Sequence, residues 1–450
     1  MADEIRFTEV DLIFMISFDM GKNIEIKKLN ELIPELRKLP DETSETIGRV
    51  VDPIYLQQSK YIQRELANLK IKVIDDDFKE LKGRELICRL HLFMHSTGIA
   101  VVIAWIHLND VDLSTDQMIK MTYELQKAKC LISKEGTRTS QNIKIRISKG
   151  DPFGPPVGSL YDYIRSNLRR LQPRVERRYP ASRVYPMVFI RKYNCSCNTL
   201  EEVVENHSKE LAGILTGLDE WKLYRKSATE EVLKVNLSPT EDLAFFMTVG
   251  RFLGIFSPKL DAYCDGKLDH YFRQREEDFI VPVELSVLME MMISTYYSYL
   301  MKKMKDIERT AQPSRIVSLR KEIEKGLDEY YNIVTIEEPA ITIIKHAREI
   351  LRISEGVQAI KERLSVLDHY IRTRYEEEVT RKQEILTILL CVVGIPPVIE
   401  IVWEKTSSVP LVIISGFIFL MAVIIIYKYY SSIYKYCNKI SSYISRLFRK

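Results

Sequence analysis

Two apolar runs, residues 385–403 and 409–427, stand five residues apart near the end of this chain. Each is close to the ~20 residues that carry a helix across ~30 Å of hydrocarbon. So short a connector makes the pair antiparallel. The chain is therefore predicted to end in a helical hairpin within a bilayer, and whatever precedes residue 385 must fold in water.

Lysine and arginine close to a span are retained on the cytoplasmic side. Arg381 and Lys382 precede the first run, and Lys428, Lys435, Lys439, Arg446, Arg449 and Lys450 follow the second. The expectation is a multi-pass protein of the cell membrane with both termini cytoplasmic. Only Glu404, Lys405, Thr406, Ser407 and Ser408 would lie outside. Residues 1–6 lack a basic n-region and an apolar h-region, so no cleaved leader is expected.

The 66 basic and 62 acidic residues leave a net charge of +4, too balanced for a nucleic-acid partner. The seven cysteines (Cys88, Cys130, Cys195, Cys197, Cys264, Cys391, Cys437) are scattered as in a reducing compartment. Only Cys195 and Cys197 are close, and a structural zinc site would want a second such pair, which the sequence lacks. His91, His95 and His107 sit inside strand-like runs and read as satisfied histidines. There is no glycine-rich phosphate loop, HExxH or GxSxG, and nothing points to an enzyme.

Residues 1–280 read as a mixed α/β (α+β) cytosolic domain. A strand is expected over 11–18 and a helix over 27–39. The apolar stretch 86–108 contains Arg89, His91, His95, Ser96 and Gly98, which hydrocarbon would resist. It reads as a β-hairpin turning at residues 95–98. Ser114 with Gln117 forms a capping box that opens a helix to about residue 129, and 150–158 is a loop rich in glycine and proline.

The stretch 163–192 is basic. Its Arg165, Arg169, Arg170, Arg174, Arg177 and Arg178 form a candidate site for an anionic, nucleotide-like ligand, because guanidinium forks suit phosphates. The alternative is a solvated or intersubunit ion-pair surface. Beyond a strand at 184–193 the chain reads as largely helical. Pro282 is expected in the first turn of a helix over 283–311, and a second helix over 314–331 completes a hairpin spanning 281–340. A stalk occupies 341–384, the spans 385–403 and 409–427, and a basic amphipathic cytoplasmic tail 428–450.

One uninterrupted helix is expected over 357–395. Ile353, Val357, Ile360, Leu364, Leu367 and Ile371 alternate steps of four and three, as a coiled-coil or bundle seam does. A second stripe follows at the same spacing: Thr373, Glu377, Thr380, Glu384, Thr387, Cys391 and Gly394. In a symmetric ring of chains these would become circles of carboxylates and hydroxyls lining a cation path. Alternatively, the small residues simply let helices approach. Pro396 and Pro397 are expected to kink the helix, with Glu400 and Glu404 at the outer mouth.

A long cytosolic helix, a first span, a very short external loop, a second span and a basic tail resemble the CorA family of divalent-cation channels. Residues 381–390 (RKQEILTILL) are similar to that family's stalk-to-membrane junction, and Pro396 or Pro397 has a counterpart in its first span. The resemblance covers roughly residues 280–430. It implies a homo-oligomer, pentameric in the family, embedded in membrane lipid and gated by its cytosolic domain. No cofactor is implied beyond Mg2+ or a related ion, transported or regulatory. The family's Gly-Met-Asn triplet after the first span is absent, and residues 405–408 (KTSS) stand near that place. The rival reading is a membrane-anchored sensor whose cytosolic domain binds an anionic small molecule.

Overall fold

The computed structural model describes residues 4–19, 61–95, 97–128, 130–134, 157–164, 183–260, 267–310 and 338–406, with single positions between 317 and 327 and between 410 and 421. The expected helix at 27–39, the arginines 165–178, most of the 150–158 loop, the second span and the tail fall wholly or largely outside these residues.

The apolar run near the start does not alternate, the pattern of a strand covered on both faces. It forms β1 (Arg6–Asp19), and every residue from Glu9 to Asp19 is buried. β1 pairs antiparallel with β4 (Ile99–Leu108) on one side and β7 (Val184–Asn194) on the other. The remaining strands are β2 (Tyr61–Val73), β3 (Glu85–His95), β5 (Cys130–Lys134), β6 (Val157–Gly158), β8 (Leu243–Met247) and β9 (Phe252–Phe256). They complete a nine-stranded sheet in the order β6-β5-β2-β3-β4-β1-β7-β9-β8. The β7–β9 pairing is parallel.

The expected hairpin is β3–β4, and the amide of Gly98 (φ 85°) donates to the His95 carbonyl at 2.9 Å. Helix α1 (Thr115–Glu124) starts at Ser114 with both halves of the capping box made. It ends earlier than expected and tightens into a 3-10 turn at Leu125–Lys127.

One face of the sheet carries Val10, Leu12, Phe14 and Ile16, in one cluster with Met118 and Met121 of α1 and Leu211 and Ile214 of the later helix α3 (Ser208–Thr216). Between β7 and β8 lie also α2 (Leu200–Asn206) and α4 (Lys226–Val232). The other face is covered by α5 (Leu268–Thr310). Phe279 of α5 meets Phe245 at 4.5 Å between ring centroids, and Phe272 meets Phe256 at 4.7 Å.

The chain after residue 194 is largely helical, as expected, with β8 and β9 added to the sheet, two five-residue strands too short to announce themselves by period. Pro282 lies inside α5 rather than opening a helix at 283. Its missing N–H costs one rung, yet tertiary packing holds the helix through it, and the Ser286 hydroxyl donates to the Pro282 carbonyl at 2.8 Å. Finally, α5 over Leu268–Met304 is long and apolar enough to cross a membrane, but 89% of its most apolar window is buried within the chain. It is a core helix of the α/β domain, hydrophobic because it is covered.

Helix α6 (Glu338–Ile350) packs on α5, burying Ala340, Ile343, Ile344 and Ala347. After Arg352, in the left-handed region at φ 53°, α7 runs from Ile353 to Thr406. At 54 residues it is longer than the expected helix, and it continues helical through Pro396 and Pro397. The apolar seam Ile353, Val357, Ile360, Leu364 and Leu367 is buried within the single chain, and a Cβ at Gly356 would meet Ile293 of α5 at 2.5 Å. That seam is therefore satisfied internally. Contacts divide the chain into two compact units, residues 1–310 with 317–364, and residues 311–316 with 365–450.

Candidate functional site

Two register shifts between β1 and β7 flank Glu9. The irregularity lets Phe7 rejoin the face of Val10 and Leu12 while Glu9 and Asp11 stay on the α5 face, a re-aiming that bulges commonly perform. Arg191 of β7 meets them there. Its Nε and Nη2 donate to the two oxygens of Glu276 on α5 at 2.8 and 2.7 Å. Nε also lies 2.5 Å from Asp11 Oδ2, but its single hydrogen is directed at Glu276, so Asp11 feels the cation's charge without its proton. Phe272 presents its ring to the same guanidinium at 5.2 Å. Arg191 belongs to the basic stretch 163–192, and it is a core cation.

Asp11 is held from the other side by β4. Trp105 Nε1 donates at 2.9 Å and His107 Nδ1 lies at 3.0 Å from Asp11 Oδ1. Burial pushes the Asp11 carboxyl up, but the His107 hydrogen bond and the Arg191 charge prevail, and its pKa falls below the usual range. Glu276 goes the other way: burial first, then the Asp11 charge, raise it well above 4.5 against the pull of Arg191. The two buried carboxyls thus divide into a stronger and a weaker acid.

Beside this cluster opens a cavity of about 300 Å3, where the cations Arg89, Arg191 and Arg273 and the carboxyls of Asp11, Glu85 and Asp269 share the wall with Trp105 and His107. Arg89 stands on β3 directly across from Trp105, and Arg273 on the second turn of α5. Among the described residues neither has an ion-pair or hydrogen-bond partner, and both are partly exposed. Burial lowers the pKa of Arg89 and the Arg273 and Arg191 cations lower it further, while the charges of Asp11 and Glu277 raise it. Like charges gathered around a concave space disfavour one another. A wider groove of about 1400 Å3 beside α2 and the start of α5 also carries charges of both signs, but no arginine is among its lining residues.

The arginines singled out from the sequence, 165–178, lie outside the described residues; among the described residues it is Arg89 and Arg273 that line one cavity. The only signal for them was Arg89 inside an apolar strand. The proposed pore stripe lies along α7. Thr373, Thr380 and Thr387 are exposed, Glu377, Glu384 and Gly394 partly so, and Glu400 and Glu404 exposed; the side chain of Cys391 is outside the described set. Thr373 and Thr387 donate to the carbonyls of His369 and Gln383 in their own helix at 2.9 and 2.8 Å, and Glu377 pairs with Arg374 at 3.1 Å. Of the histidines in the strands, His95 Nδ1 is 3.0 Å from the Thr97 hydroxyl, and burial lowers the pKa of His91 to about 4. Cys195 and Cys197 are joined by His207, which the spacing did not suggest. Comparison with family models, curated proteins and solved structures returns no match, leaving the geometry of the site to speak for itself.

Proposed function

We propose that this chain is a membrane-anchored receptor for a small anionic ligand, bound by the guanidinium forks of Arg89 and Arg273. The observation that carries the reading is a pair of arginines lining one cavity, neither with an ion-pair or hydrogen-bond partner among the described residues, with a third cation, Arg191, already neutralised behind them. Forked donors match the oxygens of a phosphate or carboxylate two at a time, and about 300 Å3 is the lower end of small-molecule sites. Trp105 offers a flat apolar wall. Arg273 sits on α5, whose Ile293 touches Gly356 at the start of α7, so an anion drawing Arg273 toward Arg89 would pull on the helix pair that leads to the apolar run. Isothermal titration of the full chain in detergent with pyrophosphate and nucleoside mono- and triphosphates tests this. Arg89→Ala and Arg273→Ala should each weaken binding about tenfold or more, since hydrogen bonds to charged groups are worth ~1.5–3 kcal/mol. A wild-type chain that binds none of these anions refutes the reading.

A second reading is ion conduction by a CorA-like homo-oligomer. It is favoured by the exposed polar stripe from Thr373 to Thr387 running directly into exposed Ile385, Leu386 and Leu390, a surface that lipid or further copies of the chain would cover. In this reading Thr387, Cys391 and Gly394 ring the path, and both termini are cytoplasmic. Disulfide cross-linking of Thr387→Cys in membranes should give ladders above the monomer. Divalent flux into liposomes should be blocked by Thr387→Leu and made less cation-selective by Glu384→Gln. Monomer alone, or no flux from assembled protein, would sink it.

A further inference from the structure

At the end of β7 the chain passes through Cys195, Ser196 and Cys197 into α2, whose N-cap Thr199 accepts a hydrogen bond from the Glu202 amide at 3.2 Å. That helix is only seven residues long and stops at His207, the joint with α3. The short helix folds His207 back onto the cysteines. Both sulfurs and a ring nitrogen of His207 lie within 4.8 Å of one another.

His207 is 1% exposed, and its Nδ1 makes no hydrogen bond. A buried imidazole nitrogen in that state costs free energy unless something fills its lone pair or takes its proton. The nearest charged group is Glu210, whose Oε1 lies 3.6 Å from Nδ1, beyond hydrogen-bond reach. Asn206 Nδ2 points at Cys197 Sγ from 3.6 Å, a donor well placed for a sulfur carrying negative charge. Both thiols are free and only half-buried, so an ion can reach them from solvent.

We propose that Cys195, Cys197 and His207 bind one Zn2+ ion, with Glu210 either supplying a fourth oxygen or fixing the imidazole from behind. Two thiolates and an imidazole are a donor set for a tetrahedral ion of borderline softness, whereas Mg2+ and Ca2+ require oxygen. On binding, each thiol loses its proton to solvent and forms a metal–sulfur bond in place of S–H, while the imidazole contributes a lone pair without releasing a proton. The metal would tie the end of β7 to the α2–α3 joint, and α3 is part of the core beneath the sheet. The site is separate from the arginine cavity, with which it shares no residue.

The test uses the full chain in detergent, reduced, stripped with chelator and then given Zn2+ or Co2+. The expected result is one equivalent of Zn2+ retained in equilibrium dialysis and a higher unfolding temperature. Co2+ should give intense thiolate-to-metal absorption in the near ultraviolet together with visible bands of tetrahedral cobalt. The Cys195→Ser/Cys197→Ser double variant should lose both the equivalent and the near-ultraviolet band. Glu210→Gln should weaken binding about 10–100-fold, the range for groups that orient a ligating imidazole. Far-ultraviolet dichroism confirms that each variant is folded. A wild-type cobalt complex without thiolate absorption overturns the proposal, and so does a metal equivalent that survives intact in the double serine variant. If the double variant does not fold, competition settles the matter on the wild-type chain: Zn2+ should displace Co2+ and abolish the thiolate band, and a cobalt spectrum that Zn2+ leaves unchanged overturns the proposal.

Discussion

Arg191 of β7 and Glu276 of α5 are joined by two hydrogen bonds of 2.8 and 2.7 Å inside the α/β domain. The pair fastens the covering helix to the sheet at the point where Glu9 and Asp11 also converge. Arg191→Leu would leave three carboxyls with no central cation, and losing one partner of a buried pair costs about 3–5 kcal/mol. The variant should unfold at much lower temperature or fail to accumulate. Arg191→Lys keeps the charge but not the fork, and its thermal midpoint should fall between the two. A midpoint for Arg191→Leu equal to that of the wild type would show that the cluster does not hold the domain together.

Gly254 of β9 predicts a second weak point. A Cβ there would come within 2.3 Å of Phe189 Cδ1, and that ring stacks on Phe245 at 6.0 Å and touches Phe256 at 6.3 Å, so it has no room to retreat. Gly254→Ala should destabilise the domain by about 1–3 kcal/mol, the usual range for overpacking. Adding Phe189→Leu should restore part of the loss in denaturant titrations. Additive losses would contradict the proposed clash.

Glu284 gives the domain a pH dependence of definite sign. It is 1% exposed on α5, and burial raises its pKa well above 4.5. The folded chain binds that proton more tightly than the unfolded one, so the group's contribution is complete below 4.5 and is lost as pH climbs through the raised value. Glu284→Gln removes the titration. Its unfolding temperature should exceed that of the wild type at neutral pH, and the advantage should disappear under acid. A difference that does not change with pH would mean that Glu284 is not the group responsible.

The apolar surface beyond residue 384 predicts how the chain partitions. Ile385, Leu386, Leu390, Ile401 and Trp403 are all about half exposed or more. The full chain should float with liposomes and come free only in detergent. A chain ending at Arg372 keeps the buried seam of α7 and should stay in the supernatant. In intact cells an impermeant thiol reagent should label Ser407→Cys and miss native Cys437. Label on Cys437 alone would reverse the orientation.

Elements whose residues decide their own conformation were legible in the sequence. The run in β1, the glycine turn after His95 and the Ser114 capping box are each dictated within a few residues. Pro282 was misread because a proline inside a helix is tolerable only when tertiary contacts outweigh the lost hydrogen bond, and those contacts come from a sheet that is distant in sequence. The candidate site was illegible for the same reason. Arg89, Asp11, Arg191 and Arg273 come from β3, β1, β7 and α5, and no local pattern ties them together. The seam on α7 was read as apolar and four-three spaced, but its residues from Ile353 to Leu367 are buried within the same chain, while Thr373, Thr380 and Thr387 of the second stripe stay exposed.

The place of β1 between β4 and β7 sets an order of events during synthesis. β1 leaves the ribosome before either neighbour, and its second edge cannot close until Asn194 has been added. At about 5–20 residues per second, that wait is on the order of ten to forty seconds. Throughout it, a strand that ends buried on both faces stands with its apolar side chains and one row of amides and carbonyls in the open. The nascent chain is therefore most vulnerable to misassociation before the apolar runs 385–403 and 409–427 have been made, and a chaperone that holds residues 10–18 until β7 emerges should raise the yield.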